Sequence, residues 1–91
     1  MGYEYEPEAL NALAVHGLAP SSGTDPALVR DALSDLYRYE IRRLKRQFLA
    51  GGIAKADYST HVIALRRRYW LLSVPVHLWT SKGSQLMAHG S

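Results

Sequence analysis

Apolar positions recur most regularly between Leu36 and Leu72. In the second half of that stretch Tyr58, Val62, Leu65, Tyr69 and Leu72 are spaced 4, 3, 4 and 3. At about 100° per residue all five fall on one narrow stripe of a helix, a heptad-like seam that wants another helix against it. Ile63 and Trp70, seven apart, form a second, smaller apolar strip. Asp57 lies in the first turn, where a carboxylate suits the free amides and the positive end of the dipole. Pro75 disfavours helical geometry at Val74, which predicts a helix over about 55–73.

The first half of the stretch belongs to a longer helix, predicted from Pro26 to about Ala50. Asp25 is its expected N-cap, with Thr24 as the alternative, and Pro26 takes the first helical position. Val29, Leu33, Leu36, Tyr37, Ile41, Leu44 and Phe48 form the apolar face. That face drifts sideways, as a spacing near 3.5 must on a helix of 3.6. Gly51-Gly52 ends it, glycine being the usual residue at the left-handed position after a helix. The two helices therefore fold back as an antiparallel hairpin.

The ends of the chain carry weaker patterns. Pro7 to His16 reads as a short helix closed by Gly17, with Leu10, Leu13 and Ala14 buried and Leu18 as an apolar clamp. Tyr3 and Tyr5 alternate with Glu4 and Glu6, a strand-like rhythm with no evident partner strand. Ala19–Thr24, APSSGT, is the one clear linker. Val74, Val76, Leu78 and Trp79 make an apolar arm, with Ile63 and Trp70 as its expected neighbours. From Thr80 onward the chain is polar and rich in Ser and Gly, and residues 80–91 read as a flexible tail. The expected fold is all-α: a long antiparallel helical hairpin with a short N-terminal helix and an apolar C-terminal arm, one domain over residues 1–79.

The turn resembles that of the short C-terminal helical domain, SHOCT. Gly51-Gly52-Ile53 followed by Tyr58 is similar to its Gly-x-Ile…aromatic pattern. Ala54 replaces the usual Thr, and Asp57 stands where that family has Glu. The likeness is confined to residues 44–72, and it implies a helical hairpin and an interaction or assembly role.

Composition narrows the function classes. The 91 residues contain no cysteine, so neither disulfides nor thiolate chemistry are available. No apolar run reaches the length of a membrane span, and MGYEYEPE lacks the apolar core of a signal peptide. A cytoplasmic location is the expectation. The net charge of +3 hides a polarity. Residues 1–35 hold six carboxylates against Arg30, net −5. Residues 36–91 hold ten cations against Glu40 and Asp57, net +8. Such asymmetry lets the acidic part face the basic part of the same or a neighbouring copy, or leaves the basic part for an anionic partner.

Candidate sites follow from these patterns. Arg38, Arg42, Lys45 and Arg46 line the outer face of the first long helix, and Arg66 and Arg67 point away from the seam of the second. Together they could contact phosphates, although no helix-turn-helix or RNA-binding aromatic motif accompanies them. The alternative is a solvated face. Glu40 sits near the middle of an apolar face, where a carboxylate is costly unless paired. Arg43 on its own helix, or Arg68 and His61 across the seam, could satisfy it, making a structural ion pair of Glu40, Arg43 and Arg68. The functional alternative is a ligand-binding or proton-handling carboxylate with Tyr37 and His61. None of His16, His61, His77 and His89 has metal-ligand spacing, and no nucleophile motif surrounds any serine. Neither metal nor cofactor is expected, and the chain reads as a non-enzyme.

Two tryptophans with Tyr37, Tyr39, Tyr58 and Tyr69 exceed what one small core needs. Tyr, Trp and Arg are enriched at interface hot spots. Tyr39, Ile63, Trp70, Leu78 and Trp79 are therefore the expected partner-binding residues, and Arg66, four before Trp70, is placed for a cation–π contact. The leading expectation is a small interaction or assembly module, binding itself or a larger protein. The alternatives are a nucleic-acid-binding accessory protein and a small regulatory subunit clamped onto a larger enzyme.

Overall fold

Three helices appear in the computed structural model, which describes residues 2–81. They are α1 (Pro7–Ala14), α2 (Pro26–Leu49) and α3 (Lys55–Arg68), followed by two 3₁₀ turns, Trp70–Ser73 and Val76–Leu78. The protein is all-α, and the pairing of α2 with α3 is the most extensive contact between its elements.

Local chemistry explains most of the boundaries. Asp25 caps α2: its side chain accepts from the Ala27 amide at 2.9 Å, and Pro26 fills the first helical position. Both α1 and α2 end in a Schellman motif. After α2 the Gly52 amide donates to the Gln47 carbonyl at 2.9 Å and Gly51 donates to Phe48 at 3.0 Å. Gly51 has φ +81°, which only glycine adopts at no steric cost. After α1 the amides of Leu18 and Gly17 donate to Leu13 and Ala14, and Gly17 has φ +77°. The Phe48 and Tyr58 rings stack at 4.5 Å beside the hairpin turn.

Helix α3 is shorter than its pattern predicts, stopping at Arg68 rather than Ser73. The reason lies in Tyr69 and Leu71, both buried in one core cluster. Two residues apart on an unbroken α-helix they would point about 200° apart. The backbone leaves helical geometry at Tyr69 (φ −107°, ψ 31°) and tightens into the 3₁₀ turn, which lets both side chains face inward. On the seam Leu65 and Tyr69 are buried, while Tyr58, Val62 and Leu72 are half-buried.

The core sits at one end, the head of the molecule. Tyr5, Ala9, Leu13, Val29, Leu33, Leu65, Tyr69, Leu71 and Trp79 form it. Two expectations fail here. The N-terminal segment does have a partner: Tyr5 and Thr80 form an antiparallel bridge. The Glu6 amide donates to the Trp79 carbonyl at 2.9 Å, and the Ser81 amide to the Glu4 carbonyl at 2.7 Å. The tail does not begin at Thr80, because Thr80 is buried and Ser81 is held by those bonds. The rest of the expected tail, residues 82–91, lies outside the described residues. The linker is tied down too. The Tyr3 amide donates to the Ser22 carbonyl at 2.6 Å, and the buried Tyr5 hydroxyl donates to the Thr24 carbonyl at 2.6 Å.

The other end of the hairpin, around Gly51, is the tip. Helix α2 spans about 36 Å, and the whole molecule measures 55 × 25 × 16 Å. No helix among the described residues is long and apolar enough to cross a membrane.

Candidate interaction surface

The polar cluster inside the hairpin assembles around Glu40, half-buried on α2. Its carboxylate accepts a hydrogen bond from the Tyr69 hydroxyl and lies 3.9 Å from the Arg68 guanidinium. Tyr69 is further held by an edge contact with Tyr37 at 5.2 Å and by His16, stacked on it at 4.0 Å. Nε2 of His16 lies 2.9 Å from the Arg68 carbonyl; a carbonyl only accepts, so Nε2 carries the proton. Burial, and then the bond to Glu40, push the Tyr69 phenol up to about 12.

The ion pair of Glu40 is therefore with Arg68, as expected, and not with Arg43, which is a correction. At i+3 Arg43 is exposed and lines a hollow of about 280 Å³ with Glu40, Gln47, His61 and Arg68. The Tyr69 hydroxyl, which the spacing alone did not assign to Glu40, supplies the missing partner. This arrangement ties α2, α3 and the loop after α1 together at one point. Among the described residues no group of three His, Asp or Glu side chains converges as for a metal ion.

The basic face divides. Arg38 is spent on Asp35 at 3.2 Å, with both side chains well exposed, so the pair contributes little. Arg42, Lys45 and Arg46 are exposed on α2 and carry no ion pair among the described residues. Arg66 and Arg67 lie in the last turn of α3, where cations complement the negative end of the helix dipole. The expected Arg66–Trp70 contact is not made, because the helix that would have aligned them at i and i+4 ends at Arg68.

Four of the five expected partner-binding residues are exposed: Tyr39, Ile63, Leu78 and Trp70, the last 44% so. Trp79 corrects the expectation. It is 0% exposed, the largest fully buried side chain, and its indole N–H donates to the Val74 carbonyl at 3.0 Å. The apolar arm anchors itself with one tryptophan and leaves the other outside. Trp70 borders two hollows in the head. One of about 420 Å³ runs past Glu6, Ala9, Leu71 and Leu78. The other, about 370 Å³, is lined by Glu8, Asn11, Ala12 and Val15. Sequence reasoning missed Val15 and Leu49, which are 64% and 71% exposed. The signal was available: each is an apolar residue left off the buried face of its helix.

No protein-family model, curated protein sequence or solved structure matches this chain.

Proposed function

We propose that this protein is a small non-enzymatic assembly module that associates with copies of itself. The observation that carries the reading is the uncovered apolar surface. Trp70, Leu78, Val15, Ile63, Tyr39 and Leu49 all stand well out of the core. The core among the described residues comprises nine buried hydrophobic side chains, and of its large ones only Trp79, Leu13 and Leu33 are fully enclosed. A chain of this size with so small a core gains more from a partner than from further internal packing. Aromatic and aliphatic side chains flanked by charge are what the centre of an interface uses, with charges around them fixing orientation. The resemblance of the hairpin turn to SHOCT points to the same class of role.

The test is mass in solution. Light scattering across a wide concentration range should show a mass that rises with concentration. A monomer at every concentration removes the reading.

A second reading has its own observation. Arg42, Lys45 and Arg46 form an exposed set on one face of α2 with no carboxylate attached among the described residues. That face would contact the backbone phosphates of a nucleic acid, with affinity falling steeply as salt rises. Mobility shifts with DNA and RNA at two salt concentrations test it, and no binding at low salt removes it.

A further inference from the structure

We propose that copies of this chain join head to tail, the Trp70 groove of one receiving the Leu49 corner of the next. The inference rests on the self-association reading and adds the geometry of the contact.

The groove is the more elaborate half. Trp70 stands between its two hollows, with Leu78 on one side and Val15 on the other. Carboxylates rim both: Glu6 and Glu8 the first, Glu8 the second. Neither makes an ion pair among the described residues. An apolar slot with an acidic rim fits an apolar residue carried among cations.

The tip offers that combination. Leu49 is the last residue of α2 and, at 71%, the most exposed of the large apolar side chains described. Lys45 and Arg46 lie one turn back on the same helix, and Lys55 opens α3 just across the turn. All three are exposed and none has an ion-pair partner among the described residues. The Leu49 side chain would enter beside Trp70 while the cations meet Glu6 and Glu8. Charges of opposite sign at the two ends would also steer the encounter.

The chain cannot satisfy this contact by itself. The groove belongs to the head, built around the N-terminal part of α2, and Leu49 is at the far end of that helix. Helix α3, 14 residues or about 21 Å of rigid rod, runs from Lys55 beside the tip to Arg68 beside the groove and keeps them apart. The two surfaces differ, so the contact is heterologous. Repetition then closes into a ring or runs on as an open chain, and does not stop at a two-fold dimer.

Sedimentation velocity of the full chain tests this with two variants, one at each surface. Leu49→Glu breaks the tip and leaves the groove; Glu8→Lys reverses the rim and leaves the tip. Both positions are exposed, so the fold should survive, and a circular dichroism melt checks that. The wild type should form species larger than a dimer. Each variant alone should be at least tenfold weaker in self-association. An equimolar mixture should form a one-to-one complex that grows no further, because only one intact contact remains per pair. Adding Arg46→Glu to the Glu8→Lys chain should restore growth by exchanging the charges. If the wild type associates but both variants associate as well as it does, the head-to-tail contact is overturned while self-association stands. Growth of the mixture past two overturns the contact in the same way. If the wild type stays monomeric throughout, both readings fall.

Discussion

Glu40 and Tyr69 are joined by a hydrogen bond from the phenol to the carboxylate, at the point where α3 gives way to the 3₁₀ turn. The bond fixes where α3 ends relative to α2. It also gives the part-buried Tyr69 hydroxyl its only hydrogen-bond partner among the described residues. Tyr69→Phe should cost about 1.5–3 kcal/mol, the net value of a hydrogen bond to a charged group. Glu40→Ala should cost a similar amount, about 1–3 kcal/mol, because the phenol then loses its acceptor. Urea unfolding of the three chains checks both values.

The same pair predicts a dependence on pH. The folded phenol is raised to about 12 against the usual 10, by burial first and the Glu40 bond second. A group raised in the folded state lends stability below its unfolded value and loses it as pH rises through its folded value. Stability should therefore fall between about pH 10 and 12. Tyr5 is also raised, by burial and then by the Asp25 charge, and acts in the same direction. Tyr69→Phe should flatten the fall without abolishing it, as urea midpoints at pH 8 and pH 11 would show.

The two tryptophans should separate cleanly. Trp79→Ala should cost about 3–5 kcal/mol, the usual range for emptying a fully buried aromatic site. Trp70→Ala should change monomer stability by less than about 1 kcal/mol and act on association instead. Fluorescence distinguishes them with milder changes. With Trp70→Phe the remaining indole should emit to the blue and resist iodide. With Trp79→Phe it should emit to the red and be quenched.

The turn glycines are not equivalent. Gly51 holds φ +81° with open space around it, so Gly51→Ala is opposed by backbone strain alone, about 1–2 kcal/mol. Gly52 has no such angle, and an added Cβ would meet the Gln47 carbonyl at 3.4 Å, an ordinary contact. Gly52→Ala should be neutral or stabilise by up to about 1 kcal/mol by restricting the unfolded chain. Thermal melts of the two variants side by side are sufficient.

What the sequence disclosed and withheld follows the range of the interactions. Asp25, Pro26, Gly17 and Gly51 act within a few residues of themselves, so the helix ends they set could be read directly. The hairpin seam was legible because its period survives in the spacing of Tyr58, Val62, Leu65 and Tyr69. Tyr5 pairing with Thr80 was not, because the two are 75 residues apart and a single bridge leaves no periodic trace. The end of α3 was misplaced for a related reason. Pro75 marked where a helix must have stopped, whereas Tyr69 and Leu71 competing for one core stopped it earlier. At the candidate surface Trp70 and Trp79 looked alike; only the three-dimensional cluster decides which is the anchor.

The pairing of Glu4 with Ser81 brings the two extremities of the described chain side by side. Any polypeptide fused before residue 2 or after residue 81 would leave from the same edge of the head, well away from Gly51. A circular permutant therefore has a natural design: bridge those neighbouring segments with a short linker and cut between Gly51 and Gly52. The two long helices would then be joined through the head and no longer through the tip, and comparing the two chains would measure what the tip loop adds to their packing.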